Sequence, residues 1–266
     1  MPPSPHPRLR PPVAAVGAAL LLLCAIALLL RADSGHGQGG NRILPPPAVA
    51  SVRPAPGSCL VPARAAERFQ STTRRRVVAL TFDDGPGPAT ASILTQLRRA
   101  RQHATFFVIG RQIAAHAGDL ARAVRDGNAI GNHTWDHADV SAGDAAAAGE
   151  LLWTSRAIRR ATGAPPCVLR APYGRTGPGL VAAARAQGMV VTEWNVDPQD
   201  WRSPSPARTA RAVLSALRPG AIVLLHDGGP RAQETRAALP RILRGLQRRG
   251  YRSVTVPALL HLHRAR

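Results

Sequence analysis

Seven short runs of aliphatic, β-branched or aromatic residues punctuate the chain from residue 76 onward. They are VVALTF (77–82), ATFFVIG (104–110), NAIGN (128–132), CVLRAP (167–172), MVVTEWNV (189–196), AIVLLH (221–226) and RSVTV (252–256). Runs this short suit buried strands better than helices. Between them, apolar residues recur at helical spacing: Ile93, Leu94 and Leu97; Leu151, Leu152 and Ile158, with Ser155 on the same stripe; Val213, Leu214 and Leu217; Leu239, Ile242, Leu243 and Leu246. Strand–helix alternation of this kind predicts a parallel α/β architecture. Periodicity by itself leaves a closed barrel and an open doubly wound sheet both open.

The first 75 residues follow a different pattern. Residues 1–12 are proline-rich with Arg8 and Arg10, and residues 13–30 (VAAVGAALLLLCAIALLL) carry no charge. Eighteen apolar residues reach the length needed to cross a bilayer. No small-x-small cleavage site follows, since Leu30 and Arg31 stand where small residues would be expected. The expected plan is a cytoplasmic tail (1–12), a transmembrane signal anchor (13–30), a Pro/Gly-rich disordered linker (31–75) and a catalytic domain (76–260). A cleaved signal peptide, giving a secreted protein, is the second reading. Cys24 lies inside the apolar run after bulky Leu23, which argues against a lipoprotein cysteine.

The unusual polar residues of the body fall at the C-terminal ends of the predicted strands. Asp83 and Asp84 follow the first strand, His133 and His137 the third, Arg170 and Tyr173 the fourth. Asp197 and Asp200 follow the fifth, His226 and Asp227 the sixth. In parallel α/β proteins that end of the sheet is where sites are built. Turn residues with no shared task have no reason to collect there.

The pair Asp83-Asp84, followed by Gly85-Pro86, has a bland explanation as turn chemistry. Adjacent strand residues point to opposite faces, so the two carboxylates are not expected to share a partner. His133 and His137 are four apart; on a helical turn that places two imidazoles on one face, roughly 6 Å apart at Cβ. Two histidines and one carboxylate form a ligand set that leaves a position open for water. One aspartate of the pair would then bind the cation and the other would take a proton from the water, the cation offsetting their mutual repulsion.

Five motifs, TFDDGP, HTWDH, RAPYG, DPQDW and LLHD, together with ATFFVIG and GYRSVTV, resemble in order and spacing the polysaccharide deacetylase family, carbohydrate esterase family 4. The resemblance covers about residues 76–257 and no motif position is substituted. It implies a distorted (β/α)7 barrel, with Asp83 as catalytic base and Asp84, His133 and His137 as ligands of one divalent metal, zinc first and cobalt or another transition ion next. It further implies Arg170 holding Asp83, His226 as general acid oriented by Asp200, and Tyr173 giving its backbone N–H to the oxyanion. Trp201 and Leu224 would line the pocket for the acetyl methyl. The implied reaction is removal of N-acetyl groups from N-acetylglucosamine polymers, peptidoglycan first and chitin-like oligosaccharide second. An O-acetyl esterase on xylan-like polymers and a non-catalytic sugar-binding module are the alternatives. A glycosidase needs its two carboxylates about 5 Å or more apart across the sugar, not adjacent on one turn.

Charge and cysteines add the compartment. The formal net charge is +20, all of its Lys/Arg cations being arginine. They are scattered with few aromatics between them, a poor match to nucleic-acid binding, and attraction to an anionic surface such as lipid head groups or cell-wall polymer fits better. Cys59 and Cys167 are left for one bridge in an oxidising compartment, a pairing that spacing leaves open. The expected state is a monomer at the cell membrane, joined to it by the N-terminal helix, with its catalytic domain extracytoplasmic.

Overall fold

The computed structural model describes residues 67–68, 73–203 and 205–262. The expected signal anchor at 13–30 and most of the expected linker lie outside the described residues, as do Cys24 and Cys59. Among the described residues no helix is long and apolar enough to cross a membrane. Cys167 is buried and its sulfur is engaged in a disulfide.

Among the described residues eight strands pair, all in parallel. They are β1 Glu67–Arg68, β2 Val77–Gly85, β3 Ala104–Val108, β4 Ala129–Asn132, β5 Val168–Leu169, β6 Val190–Thr192, β7 Ile222–His226 and β8 Arg252–Ser253. The order is β1-β6-β5-β4-β3-β2-β7, with β8 on β2. Strands β2 to β8 coincide with the seven predicted runs. Inside the 31–75 stretch, the two-residue strand β1 pairs with β6. Such a short strand has no periodicity to read, so tertiary pairing alone creates it.

The sheet curls. Past β6, Asn195 N–H and Val196 N–H donate to Ile222 O, and Leu224 N–H donates to Val196 O. These bonds bring the far side of the sheet back against β7. The helices that link the strands are α1 Thr90–Arg99, α2 Ala117–Arg125, α3 Ala145–Thr162, α4 Pro178–Ala186, α5 Pro206–Ser215, α6 Ala232–Arg248 and α7 Val256–Leu262. α3 shows local sequence control at both ends. Asp144 accepts the Ala147 N–H at 2.9 Å, and Gly163 closes the helix at φ 84°, a left-handed conformation that glycine adopts without penalty.

Alternation along β2 separates two cores. Val78, Leu80 and Phe82 join Ile93, Leu97 and Leu239 of the surrounding helices. Phe82 and Phe106 stack there at 5.1 Å, and truncating either to Ala should cost about 3–5 kcal/mol. On the opposite face Ala79 meets Phe107, Val168, Ile222 and, from α7, Val256 and Leu259. The Val256 N–H donates to Thr105 Oγ1 at 2.8 Å, near the start of β3, so α7 plugs the interior at the strands' N-terminal end. The same inward column then rises through Thr81 to Asp83, where apolar packing gives way to charge.

Candidate active site

At the end of β2 the strand breaks its alternation. The register against β3 shifts between Asp83 and Gly85, and Asp84 adopts φ 67°. A bulge of this kind re-aims side chains. Both carboxylates therefore line one cleft of about 470 Å³, against the expectation that they would point apart. Two glycines permit the break. A Cβ on Gly85 would lie 2.4 Å from the Asp227 carboxylate, and one on Gly228 would lie 1.9 Å from Asp84 O.

The histidine pair is presented by a bent loop, which corrects the expected helical turn. Thr134 and His137 have φ 66° and 62°, outside helical space. Three neighbours hold that loop. Asn132 Oδ1 accepts the Thr134 N–H at 2.8 Å while its amide donates to Leu151 O and Ser155 Oγ. Glu150 Oε2 accepts the N–H groups of Trp135 (2.8 Å) and Asp136 (3.0 Å). Gly110 N–H donates to Thr134 O, and any Cβ there would strike Trp135 at 2.4 Å. The rings still meet, with centroids 5.0 Å apart, and Tyr173 packs edge-on against His137 at 4.6 Å.

Asp83 is held from below by Arg170, which is wholly buried. Its Nη1 donates to Asp83 Oδ1 (2.9 Å) and Thr81 Oγ1 (2.6 Å), Nε to Thr192 O and Nη2 to Glu193 O. The guanidinium also lies 4.2 Å over the Phe107 ring, a cation–π contact in a desolvated setting. A buried pair satisfied on every side fixes orientation more than it adds stability. One carboxylate oxygen is thus committed, and Oδ2 faces the cleft, 4.0 Å from His133 Nε2.

Across the cleft, His226 Nδ1 lies 2.9 Å from Asp200 Oδ1. Asp200 Oδ2 accepts the His226 backbone N–H (2.9 Å) and the Thr235 hydroxyl (2.6 Å). Burial pulls the imidazolium down, but the Asp200 hydrogen bond and the charges of Asp200, Asp83 and Asp84 outweigh it, raising His226 to about 9. Its outer nitrogen is thereby kept protonated at neutral pH. Tyr173, Trp201 and Leu224 line the same cleft, joined by Ala171, Gly174, Trp194 and Asp197. Tyr173 sits at φ 61°, so the backbone turns sharply at the cleft wall.

Asp84, His133 and His137 converge on one point. Asp84 Oδ1 lies 3.4 Å from His133 Nε2 and 3.2 Å from His137 Nε2, and all three ligand atoms fall within 4.8 Å of one another. Asp84 Oδ1 is buried yet meets no donor in hydrogen-bonding geometry. His133 Nδ1 lies 2.8 Å from Arg170 O, so that nitrogen carries the proton and Nε2 presents its lone pair. Acceptors crowded together like this need a cation between them, and the set fits a divalent metal. Burial opposes ionisation of Asp84, yet contacts with His133 and His137 and the charges of His133 and His226 hold it far below the carboxylate range. Burial likewise opposes the His133 cation, and Asp84, the Asp83 charge and the Arg170 carbonyl push it up. Both directions express one demand for positive charge at this point.

The structure thus gathers every predicted site residue around one cleft, with Arg170 and Asp200 just behind its wall. Sequence reasoning missed the supports: Thr81, Gly110, Asn132, Glu150 and Thr235. Gly110 and Asn132 lie inside apolar strand runs, where nothing in the sequence sets them apart from strand residues. Glu150 and Thr235 lie within helices with no motif to mark them.

A carboxylate on a fixed mount, a protonated imidazole opposite it and a cation-ready triad between them define a hydrolase. The polysaccharide deacetylase family model matches residues 70–192. A chitooligosaccharide deacetylase of Bradyrhizobium sp. (strain ANU 289) is 42% identical over 198 residues, spanning 69% of this chain and 90% of the relative. A peptidoglycan-N-acetylglucosamine deacetylase of Bacillus cereus is 35% identical over 196 residues, 72% of this chain and 92% of the relative. The crystal structure of the Bc1960 peptidoglycan N-acetylglucosamine deacetylase superposes with a TM-score of 0.69 at 30% identity, covering 73% of this chain and 92% of that one. The chain belongs to the polysaccharide deacetylase family.

Proposed function

We propose that this protein removes N-acetyl groups from N-acetylglucosamine-containing polysaccharide, peptidoglycan first and chitin-like oligosaccharide second. The observation that carries the reading is the division of labour at the end of β2: Asp83 is clamped by Arg170 while Asp84 joins the two histidines. A divalent cation held by Asp84, His133 and His137, zinc being the natural choice for that donor set, would polarise both the attacking water and the acetyl oxygen. Asp83 Oδ2 takes the water's proton, and Arg170 keeps the carboxylate from turning away. Tyr173 N–H adds a donor for the developing oxyanion. His226, already protonated, gives its outer proton to the leaving nitrogen, and Asp200 steadies the imidazole through the exchange. Trp201 and Leu224 enclose the acetyl methyl. An amide needs that proton on nitrogen more than an ester needs one on oxygen, which favours N-acetyl over O-acetyl substrates.

In this reading the curled sheet is a distorted (β/α)7 barrel with β1 added at its edge. The protein is a monomer held at the cell membrane by residues 13–30, its catalytic domain outside. Acetate release from peptidoglycan, chitopentaose and acetyl-xylan, with and without a chelator, tests the activity. Chelator-sensitive release from the first two is expected. Release from acetyl-xylan alone would favour the esterase, and release from none would overturn the enzymatic reading.

A further inference from the structure

Parallel strands followed by helices give the domain two unlike ends. The strands' C-terminal end carries the cleft and most of the acidic residues. At the other end the loops before the strands meet; the one before β4 carries Asp126, which is paired with Arg122, and its Asn128 Oδ1 accepts the Ala104 N–H. Arg252 N–H donates to Arg76 O, Arg76 Nη1 donates to Arg249 O, Gly220 N–H donates to Val77 O, and His103 N–H donates to Ser253 O. These bonds bring residues 73–76, 101–103, 218–220 and 249–253 into one continuous surface. The surface exposes Arg74, Arg75, Arg101, Arg218, Arg249 and Arg252. No Asp or Glu occurs in 85–118, in 201–226 or beyond Glu234. None of the six arginines forms a salt bridge with a described acidic residue. Arginines at helix ends, such as Arg98 and Arg99 of α1 or Arg248 of α6, are accounted for by the helix dipole. Arg101 and Arg249 directly follow helix C-termini, and Arg218 and Arg249 donate to the backbone carbonyls of Asn195 and Leu214, whereas Arg74, Arg75 and Arg252 flank the starts of β2 and β8.

We propose that this basic end is a docking face for an anionic phospholipid surface, holding the cleft pointed away from the bilayer. Charge is the first argument, since an uncompensated guanidinium cluster is attracted to anionic head groups within about a Debye length. The second is where the chain comes in. β1 and β2 both begin towards this end, and Arg74–Arg76 lead straight into β2. The eighteen-residue uncharged run at 13–30 precedes both strands in the sequence, so a chain anchored through it would enter the domain from this end. This argument rests on the anchor reading above, whereas the charge argument stands without it.

The test compares full-length protein on vesicles of neutral phosphatidylcholine and on vesicles containing phosphatidylglycerol, across a salt series. The parent should favour the anionic vesicles, and the preference should fade with salt. The variant Arg74→Glu/Arg75→Glu/Arg101→Glu/Arg252→Glu should lose about six-hundredfold of the anionic-over-neutral ratio at low salt, given about fivefold for each of four arginines. It should keep its thermal midpoint and acetate release from a soluble oligosaccharide. The charge-matched variant Arg111→Glu/Arg156→Glu/Arg208→Glu/Arg211→Glu, elsewhere on the surface, should lose far less. Equal losses in the two variants would reduce the effect to net charge and overturn the docking face. So would unchanged vesicle preference with lost binding to soluble polyphosphate, which would mark a polymer site. Binding to neutral vesicles reports on the anchor separately, so that reading and the docking face can fail independently.

Discussion

β2 and β7 run side by side, with Asp83 opposite His226, and each ends in two polar residues. Their fates differ. At β2 the bulge and the left-handed Asp84 turn both side chains into the cleft. At β7 the strand stays regular: His226 faces the cleft, and Asp227 passes beneath the β2 turn, fully buried. There Asp227 Oδ2 accepts the Thr90 hydroxyl, and Gly87 N–H donates to the same Thr90 oxygen. Adjacency in sequence therefore says little about a shared site. A local break in the pleat decides it, and one strand has the break while its neighbour does not.

The largest effect should come from separating the two aspartates. Asp83→Asn leaves Asp84, His133 and His137 in place but cannot take the water's proton. Activity should fall by roughly a hundredfold or more while bound metal stays stoichiometric. Asp84→Asn should lose metal first and recover part of its activity in excess zinc, because an amide oxygen is a poorer ligand. Metal content and acetate release, measured in parallel, check both. Loss of metal from Asp83→Asn with retention in Asp84→Asn would reverse the two roles.

On the β7 side the matching change is Asp200→Asn. The Asp200 hydrogen bond and charge raise His226 to about 9, against the downward pull of burial. Removing them leaves only the Asp83 and Asp84 charges to oppose burial, so the imidazole loses its proton at lower pH. A general acid works only while protonated, so the alkaline limb of the pH–rate profile should move to lower pH. The loss in kcat should be smaller than for Asp83→Asn, roughly a hundredfold at most. An unshifted limb would remove His226 from the role of acid.

Strand runs, helical stripes and the polar strand ends were legible because buried parallel strands must be apolar and sites collect at their C-terminal ends. That reasoning located β2 to β8 and eight of the ten site residues, Trp201 and Leu224 being implied by the family resemblance alone. What it misplaced has a physical cause in each case. The His133–His137 spacing suggests a helical turn, but positive φ at Thr134 and His137 is a backbone choice imposed by Asn132, Glu150 and Gly110. β1 exists only because β6 offers an open edge. The bulge at Asp84 is written in Gly85 and Gly228, which read from sequence as ordinary turn glycines.

Those glycines can be used to break the contrast. In Gly85→Ala the new methyl would sit 2.4 Å from the Asp227 carboxylate. Overpacking against a buried group should cost about 1–3 kcal/mol, read as a lower urea midpoint at unchanged slope. Shortening the neighbour should relieve it, so Gly85→Ala/Asp227→Ala should be less destabilised than the two single changes summed. Strict additivity would mean that the two strand ends do not press on each other.

The gentlest change is Asp227→Asn, which keeps the shape and removes only the ionisation. Burial, with the charges of Asp83 and Asp84 added, raises Asp227 to about 7 against the lowering effect of Thr90. An unfolded aspartate titrates near 4, so between about pH 4 and pH 7 the folded chain holds a proton that the unfolded chain has lost. Stability then falls as pH rises through that window and levels off above it. Asn has no proton to lose, so Asp227→Asn should match the parent near pH 4 and gain on it steadily up to about pH 8. Urea midpoints of chelated protein would be compared at intervals across that range, since a cation in the cleft would offset the Asp83 and Asp84 charges. Activity should change by less than about twofold, because Asp227 touches neither the cleft nor His226's partner. Parallel pH–stability curves would show that Asp227 is ionised throughout, and a large loss of activity would show that the residue beneath the turn acts in the cleft after all.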